Sequence, residues 1–371
     1  MMSFSNNKTS IKFIVGDITA RGGIERVTIN LANSLSYIYD VSIISLYKES
    51  NEPHFKINDN IEIIYIDNSY EESMYNRNKN ILSGLIFDIR YILNKREKIK
   101  LYISNNDIVI SCDIKTTTLL YKIKRDIKII AIEHFEYNTA NTILRIIRRI
   151  IYKRINMVVS LTSEDKNKYI GWLKNKHTVI PNILQSPQKT EKFENKENVI
   201  IAVGRLNHQK GFDLLLQAWK DIPDTNWVLK IIGDGEEKNN LLKYIEHEKI
   251  KNVSILPYQR DIDSEYQKAK IFVLSSRYEG LGMVLLEALS HGLSCISFKC
   301  PAGPETILSK NNGILIENGN VKELSSQLFS LMNNSDKMKK LYKIGPLSID
   351  EYSEKSVSKK WEQIIESLKY E

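Results

Sequence analysis

Residues 271–289 read IFVLSSRYEGLGMVLLEAL, and this stretch decides the fold class. Its first four residues are apolar, as in a buried strand, while residues 282–290 carry the pattern of a helix. Gly280 and Gly282 lie between the two and leave backbone amides uncovered where the helix begins. A buried strand that turns directly into a helix predicts a parallel sheet covered by helices.

The same alternation of strand and helix patterns runs through most of the chain. Short runs of apolar and β-branched residues predict strands, and longer amphipathic patterns predict helices. Predicted strands lie at residues 11–15, 41–46, 61–66, 107–111, 127–132, 157–161, 199–203, 227–232, 253–256, 271–274 and 294–298. Predicted helices lie at residues 22–37, 211–219, 282–290 and 349–368. The predicted fold class is therefore α/β, with two Rossmann-like, doubly wound domains.

A polar segment separates the two sets of strands. Residues 185–198 (QSPQKTEKFENKEN) show no periodicity and predict an interdomain linker. We therefore expect an acceptor-side domain over residues 1–184 and a nucleotide-sugar-binding domain over residues 199–348. A helix over residues 349–371 is expected to pack back on the first domain. The domains are expected to face each other across a cleft, because open α/β sheets bind ligands at their strand carboxyl ends.

Composition limits the class of protein. The 371 residues are 42% hydrophobic and 26% charged, as in an ordinary globular protein. No apolar run approaches the roughly 20 residues that span a bilayer, and the N-terminus lacks a signal-peptide core, so we expect a cytoplasmic protein. The net charge of +8 suits a phosphate-bearing partner, but the chain has no motif of a nucleic-acid-binding protein.

The three cysteines do not form a recognisable framework. Cys112, Cys295 and Cys300 have neither the spacing of a disulfide scaffold nor that of a zinc site. We expect all three to be small buried side chains, with no bound metal.

Two glutamates flank the start of the helix in the opening stretch. Glu279 lies in the turn, and Glu287 lies on the helix roughly 7–8 Å beyond Gly282 at 1.5 Å per residue. That is about the distance from a diphosphate at the helix N-terminus to its ribose. A loop carboxylate beside the phosphates would accept hydrogen bonds from sugar hydroxyls. The spacing alone also fits a glycine turn with two solvated glutamates.

A second motif, VGRLNHQKGF at residues 203–212, follows another predicted strand. Arg205 and Lys210 bracket its turn, where both can face a pair of phosphates. The alternative is a surface turn with two solvated cations. Two such motifs at neighbouring strand ends favour a shared site. Gly233 and Asp234, after the next strand, predict a turn that lies near the nucleotide or is merely structural.

Together, GRLNHQKGFDLLLQAW and SSRYEGLGMVLLEALSHG resemble the signature of glycosyltransferase family 4, a large retaining family with the GT-B fold. Glu279 and Glu287 match its Glu-x7-Glu motif. CPAGPETIL, at residues 300–308, resembles a segment of members that build bacterial surface polysaccharides. GGIERVTINLANSL, at residues 22–35, resembles the family's opening glycine loop and helix. The resemblance covers most of residues 200–320 and is patchier in the first half.

The resemblance implies roles for four side chains at the donor. Arg205 and Lys210 would stabilise the donor diphosphate and the charge that grows on it as the glycosidic bond breaks. Glu279 would hold the transferred sugar through its hydroxyls, and Glu287 would hold the ribose.

The resemblance also implies contacts made by the backbone. The amides around Gly280, Leu281 and Gly282 would bind phosphate. Gly22 and Gly23 would let the backbone of the first domain approach the donor closely.

His134 follows the strand predicted at residues 127–132, where the family usually carries an active-site histidine. The resemblance implies that it hydrogen-bonds the transferred sugar; an ordinary, partly buried histidine is the alternative. The family often has an aspartate next, whereas this chain has Phe135. Glu133 or Glu136 would then be the partner of the imidazole.

The implied reaction is retaining, on one face of the sugar, with the departing phosphate taking the acceptor proton and no metal required. The residues from Asp261 to Asp263 spell an Asp-x-Asp motif but lie where a helix begins. No cofactor is expected beyond the co-substrate, a UDP-sugar before a GDP-sugar, carrying a hexose or N-acetylhexosamine. The expected acceptor is a saccharide or a polyprenyl-diphosphate-linked saccharide of O-antigen, capsule or lipopolysaccharide synthesis. A nucleotide-sugar epimerase and a non-catalytic nucleotide-binding scaffold remain alternatives.

Residues 141–156, NTILRIIRRIIYKRIN, predict a basic amphipathic helix. Ile143, Ile147, Ile150 and Ile151 are assigned to one face. The remaining circumference carries the cations Arg145, Arg148, Arg149, Lys153 and Arg154. Such a helix lies on the inner face of the cell membrane, binds the acceptor's diphosphate, or packs on a core with a solvated basic face.

Overall fold

The computed structural model describes residues 8–69, 81–121, 123, 126–134, 137, 140, 142–169, 171–173, 175–187 and 189–369. The chain divides by its internal contacts into two units. Unit 1 comprises residues 1–183 and 354–371, and unit 2 comprises residues 184–353.

Unit 1 is built on a seven-stranded parallel sheet with the strand order β3-β2-β1-β4-β5-β6-β7. The β-branched runs of the sequence form these strands because a parallel sheet is buried on both faces. The strands are β1 Ser10–Asp17, β2 Asp40–Tyr47, β3 Glu62–Tyr65, β4 Ile108–Ser111, β5 Lys128–Glu133, β6 Met157–Ser160 and β7 His177–Val179.

Within the described part of unit 1, five helices connect these strands or follow them. They are α1 Gly23–Leu35, α2 Ile81–Lys100, α3 Ile114–Leu120, α4 Thr142–Tyr152 and α5 Ser163–Lys168. Side chains from α2, α3 and α4 meet in one apolar core against the sheet, among them Tyr91, Leu119 and Ile151. These helices therefore cover the same face of the sheet.

The C-terminal helix, Glu354–Lys369, also belongs to unit 1 and contacts α1. Ser34 and Ser358 hydrogen-bond across 2.5 Å, and the Tyr39 hydroxyl donates to Glu366 across 3.2 Å. The apolar side of the helix is buried through Val357, Trp361, Ile365 and Leu368. Residues distant in sequence thus complete unit 1.

Unit 2 has a six-stranded parallel sheet with the order β10-β9-β8-β11-β12-β13. Its strands are β8 Val199–Val203, β9 Val228–Ile232, β10 Val253–Leu256, β11 Ile271–Leu274, β12 Ser294–Lys299 and β13 Gly313–Glu317. Its helices are α6 Phe212–Lys220, α7 Lys238–His247, α8 Asp263–Lys268, α9 Met283–Ser290, α10 Pro304–Ile307, α11 Val321–Met332 and α12 Ser335–Leu347. The predicted fold class, two Rossmann-like parallel α/β domains, is confirmed.

The polar segment predicted as a linker belongs to unit 2 by its contacts. Phe193 is buried in the core of that unit. The Lys196 ammonium is buried and donates to the carbonyls of Tyr266 and Gln267 at the end of α8. Burial lowers the pKa of Lys196 to about 8. One aromatic and one lysine thus anchor a stretch that has no periodic pattern.

Two expectations from composition can be compared with the structure. Cys112, Cys295 and Cys300 are buried, as predicted. Throughout the residues that the structure describes, each helix is too short or too polar to cross a bilayer.

Candidate functional site

The two motifs of unit 2 lie side by side at one edge of its sheet. β8 and β11 are hydrogen-bonded neighbours, and the strand order reverses between them. Ligands of open α/β sheets bind at such a reversal, outside the carboxyl ends of the strands. The loops that follow β8 and β11 are the two predicted motifs.

The glycine turn before α9 has the conformation that an exposed helix start requires. Gly282 has a φ of 87°, in the left-handed region that favours glycine, and α9 begins at Met283. No side chain of a described residue caps this end of the helix. Because the first amides of a helix lack partners within it, the turn presents donors suited to an anion.

Lys210 and Glu279 form an ion pair that joins the two loops. The Lys210 Nζ lies 2.6 Å from the Glu279 Oε1, and both side chains are largely buried. The Ser276 hydroxyl donates to the same carboxylate oxygen across 2.6 Å. The structure therefore brings together two of the predicted side chains and adds Ser276, which the sequence analysis missed.

Arg205 does not reach this ion pair. Its guanidinium is exposed and lies 3.3 Å from the carboxylate of Glu236, in the turn after β9. An exposed ion pair of this kind is worth about 1 kcal/mol or less, so the guanidinium can leave it at little cost. Arg205 lies in the same loop as Lys210 but faces a different neighbour.

Arg277, which the sequence analysis did not single out, ties the two loops together. Its guanidinium makes a two-pronged contact with Asp213 at 2.9 and 2.7 Å and donates to the carbonyl of His208 across 2.7 Å. Its backbone N–H donates to the carbonyl of Gln209. Partial burial would raise the pKa of Asp213, but the hydrogen bonds and charge of Arg277 hold it below the ordinary value. The shape of the site depends on this link.

Glu287 points into unit 2 rather than into solvent. Its carboxylate accepts a hydrogen bond from the Tyr266 hydroxyl across 3.2 Å, and both residues are buried. One turn further along α9, the His291 Nδ1 lies 2.9 Å from the carbonyl of Glu287. The interpretation of Glu287 as a solvated surface glutamate is therefore wrong.

The glycines after β9 allow two turns of the backbone to pack closely together. A Cβ atom on Gly233 would lie 1.9 Å from the carbonyl oxygen of Gly204, where the two turns pass in contact. Asp234 holds the next turn, because its carboxylate accepts from the backbone N–H of Tyr258 across 2.8 Å. Lys238 donates to its other oxygen across 2.9 Å. These residues shape the edge of the sheet beside Arg205.

The CPAG segment at residues 300–303 packs against the glycine turn. The carbonyl of Pro301 accepts a hydrogen bond from the backbone N–H of Glu279 across 3.3 Å. A Cβ atom on Gly303 would lie 2.1 Å from the carbonyl oxygen of Leu281. This contact explains the glycine and keeps the turn from Glu279 to Leu281 in place.

His134 lies directly after β5, at the carboxyl edge of the sheet of unit 1. Its imidazole lines a narrow apolar cavity with Leu31, Ile183 and Trp361. Among the described residues, nothing hydrogen-bonds to its Nε2 atom. Burial lowers the pKa of His134 to about 4, so the ring is neutral near pH 7. A neutral imidazole with an unused nitrogen suits a hydrogen bond to a sugar hydroxyl.

The partners suggested for His134 require a correction. The Glu133 carboxylate accepts from the Tyr152 hydroxyl and lies 3.1 Å from the guanidinium of Arg148, all three being buried. It therefore does not serve the Nε2 atom of His134. Glu136 lies outside the described residues.

The faces of α4 also differ from the prediction. Arg148 was placed among the outward cations but is buried on Glu133, because a core arginine needs a paired carboxylate. Ile151 packs in the core, whereas Ile143 and Ile150 are exposed. The four isoleucines thus do not share one face. A pattern of one residue type along a helix cannot show which arginine has a buried partner.

The glycines that open α1 are accessible in unit 1. Gly22 caps the helix with an extended backbone, and α1 begins at Gly23. A Cβ atom on Gly23 would meet no other atom within 4 Å. Among the described residues, the backbone at Gly23 is therefore open to a close approach, whereas a Cβ atom on Gly22 would lie 2.1 Å from the Glu25 carboxylate.

A cavity of about 210 Å³ lies in unit 1 at the carboxyl ends of β1, β2 and β4. Its polar lining includes Asp17, Glu25, Asp113 and Lys115. Burial raises the pKa of Glu25 and lowers that of Lys115. The sequence analysis named none of these residues, because they come from three separate loops.

Comparison with known proteins identifies the family. The family described as "Glycosyl transferases group 1" matches this chain over residues 185–347, which is nearly all of unit 2. An uncharacterized glycosyltransferase of Haemophilus influenzae is 32% identical over 96% of this chain and 99% of its own length. The amylovoran biosynthesis glycosyltransferase AmsD of Erwinia amylovora is 30% identical over 95% of this chain and 98% of its own length.

A third relative carries its acceptor in its name. It is the N-acetyl-D-galactosaminyltransferase of Campylobacter jejuni named for a GalNAc–GalNAc–diNAcBac–PP-undecaprenol acceptor. It is 25% identical over 97% of this chain and 99% of its own length.

The fold as a whole resembles solved glycosyltransferase structures. TarM of S. aureus, solved in complex with UDP, superposes with a TM-score of 0.78 at 15% identity. The match covers 96% of this chain and 99% of that one. The chain therefore belongs to the glycosyltransferases, and its second unit carries their group 1 domain.

Proposed function

We propose that the protein is a retaining family 4 glycosyltransferase that moves a hexose or N-acetylhexosamine from a UDP-sugar to a saccharide acceptor. The observation that carries this proposal is the Lys210–Glu279 ion pair beside the uncapped start of α9. A cation and backbone amides suit a diphosphate, and a carboxylate beside them suits the hydroxyls of an attached sugar. Phosphate oxygens are acceptors only, whereas sugar hydroxyls can donate to a carboxylate.

In this proposal, the donor takes over both partners of the ion pair. The diphosphate approaches Lys210 and the amides from Gly280 to Gly282, with Arg205 turning from Glu236 towards it. The sugar hydroxyls donate to Glu279, which Ser276 already holds in position. Charge that grows on the departing phosphate is stabilised by cations that are in place before the reaction.

Glu287 would bind the ribose hydroxyls, and Gly233 and Asp234 would shape the turn beside the base. In unit 1, His134 would hydrogen-bond the transferred sugar, and the glycine backbone at Gly22 and Gly23 would allow the donor to approach closely. These roles extend the resemblance to positions whose geometry suits them.

We place the acceptor saccharide in the 210 Å³ cavity of unit 1. Its carboxylates can accept hydrogen bonds from sugar hydroxyls, and strand carboxyl ends are where such sheets bind ligands. The acceptor is proposed to be lipid-linked and to serve polysaccharide synthesis, such as O-antigen, capsule or lipopolysaccharide. The undecaprenol-linked acceptor in the Campylobacter relative's name and the name of AmsD support this choice. The reaction would then occur at the inner face of the membrane, where residues 141–156 offer a contact.

Calorimetric titration with UDP and GDP tests the donor site. We expect UDP to bind with a micromolar Kd, and Lys210→Ala and Glu287→Ala to weaken binding about tenfold or more, as expected for lost charge-assisted hydrogen bonds. Lys220→Ala is the matched control, because Lys220 forms an exposed ion pair on α6. Binding of GDP alone would show that the donor is a GDP-sugar. Binding of neither nucleotide would favour a non-catalytic scaffold.

A transfer assay tests the reaction itself. Run in EDTA with a UDP-sugar and a lipid-linked acceptor, it should yield a product whose NMR spectrum shows the anomeric configuration of the donor. An inverted product would exclude retention, and activity lost in EDTA would exclude a metal-independent step. Conversion of the donor to another nucleotide-sugar without acceptor would favour the epimerase alternative.

A further inference from the structure

Helix α4 exposes a stripe of isoleucines to solvent. Ile143, Ile146 and Ile150 are 69%, 57% and 52% exposed. Residues spaced by three and four lie on one side of a helix. The adjacent side of the helix, with Ile147 and Ile151, already packs on the core of unit 1. The stripe is therefore a second apolar face that unit 1 leaves uncovered.

Helix α2 exposes a second stripe with the same spacing. Ile86, Ile89 and Leu93 are 54%, 50% and 52% exposed. α2 and α4 share one core against the same face of the sheet, and each contacts α3, a helix of only two turns. Both stripes therefore lie on the same side of unit 1.

The charges around the stripes are positive. On α4, the exposed positions between and beyond the isoleucines include Arg145, Arg149 and Lys153, and residues 142–154 contain no acidic residue. Arg90 is exposed on α2 beside Ile89. The acidic residues of α2 add little negative charge to this surface, because Asp88 is half-buried and Glu97 is paired with Lys100.

We define these residues as the docking face, namely Ile86, Ile89, Arg90, Leu93, Ile143, Arg145, Ile146, Arg149, Ile150 and Lys153. We propose that the docking face lies on an anionic lipid bilayer, with its aliphatic side chains in the acyl boundary and its cations on the headgroups. Basic helices with an aliphatic side bind such surfaces. A second copy of the chain fits less well, because two such faces would bring like charges together.

The location of the docking face suits the proposed function, on which its biological purpose rests. α4 starts just after His134 at the carboxyl edge of the sheet, and α2 starts at the same edge because both helices lead into strands of one parallel sheet. A protein that lies on the bilayer through these helices would hold the acceptor cavity near a lipid-linked saccharide.

Vesicle co-sedimentation of the full chain tests the docking face. We expect binding to vesicles of phosphatidylcholine and phosphatidylglycerol (three to one), little binding to pure phosphatidylcholine, and weaker binding as salt rises. The triple variant Ile143→Ser, Ile146→Ser, Ile150→Ser should weaken binding about tenfold or more. Arg149→Gln with Lys153→Gln should also weaken it and flatten the salt dependence.

The controls separate the possible explanations. Leu242→Ser with Phe329→Ser removes exposed apolar side chains of unit 2 and should leave vesicle binding unchanged. Circular dichroism should show every variant folded, because all the changed side chains are exposed. No binding of the native chain to anionic vesicles, or equal binding by the triple serine variant, would overturn the proposal. So would a native dimer in sedimentation that the serine variant abolishes.

UDP calorimetry on the same variants keeps this proposal distinct from the donor site. Unchanged UDP affinity with lost vesicle binding supports the docking face. Vesicle binding by a chain that binds no nucleotide would leave the docking face standing and remove the proposed function.

Discussion

At the scale of single residues, one hydroxyl determines how the Glu287 carboxylate is held. Tyr266 is fully buried on α8 and donates to that carboxylate, while its ring lies against the imidazole of His291. Burial lowers the pKa of His291, so the ring adds no charge beside the carboxylate near neutral pH. A carboxylate with a fixed buried donor keeps one orientation for its ligand.

We predict that Tyr266→Phe raises the Kd for UDP about tenfold, because a hydrogen bond to a charged group is worth roughly 1.5–3 kcal/mol. Calorimetry at neutral pH measures the change. Tyr244→Phe, on α7 of the same unit, is the matched control and should leave the Kd within about twofold. An equal effect of both variants would show that Tyr266 acts through general stability and does not position Glu287.

The sequence was informative about the residues proposed to contact the donor and silent about the residues that hold those side chains in position. Glu279, Glu287 and Lys210 stand out because their chemistry is local to a glycine turn or a strand end. Tyr266 reaches Glu287 from another helix, 21 positions away in the chain. Such a contact depends on how α8 and α9 pack, which no short motif encodes.

At the scale of elements, the two loops of the candidate site form one unit because Arg277 joins them. A planar guanidinium can bond the Asp213 carboxylate with two parallel hydrogen bonds and still reach the carbonyl of His208. A lysine has the charge but not this geometry.

We predict that Arg277→Lys lowers kcat/KM about tenfold with little change in fold, because the loops that carry Lys210 and Glu279 lose their register. Asp213→Asn should cause a similar loss. In the double variant, steady-state kinetics should show losses well below additive, because one link is broken twice. Fully additive losses would contradict a shared role.

Prediction of elements succeeded where a pattern was local. All eleven predicted strands are present in the structure, because β-branched apolar runs between turns suit buried parallel strands. Two strands of the described residues were missed: β7, which is only three residues long, and β13, Gly313–Glu317. Helices α2, α3, α5, α7, α10, α11 and α12 were also missed, because they are short or because their polar faces obscure the apolar spacing. The error over Arg148 has another cause, because its partner Glu133 is brought to it only by the fold.

At the scale of the whole molecule, buried histidines link stability to pH. Burial lowers the pKa of His134 and of His177 to about 4, with a contribution from Lys166 at His177. The His177 Nε2 atom shares a hydrogen bond of 2.7 Å with the Ser160 hydroxyl, which links β7 to β6. In the unfolded chain, both rings would take up a proton near pH 6.5.

We predict that the free energy of unfolding is independent of these rings above about pH 6.5 and falls as the pH drops towards 4, by an amount on the order of 3 kcal/mol for each ring. The sign follows because the unfolded chain binds more protons than the folded one within this window. Urea unfolding at a series of pH values measures it, and His177→Gln should reduce the slope. A slope that His177→Gln leaves unchanged would contradict this assignment.

The C-terminal helix of unit 1 has a consequence for how the chain is made. A ribosome synthesises residues 354–369 only after the whole of unit 2, so the contiguous unit 2 can fold while unit 1 still waits for its last helix. Until then, Val27 and Leu31 of α1, which line a cavity with Val357 and Trp361, stay open to chaperones. A truncation that removes residues 354–369 would therefore spare unit 2 and damage unit 1, most of which is made first.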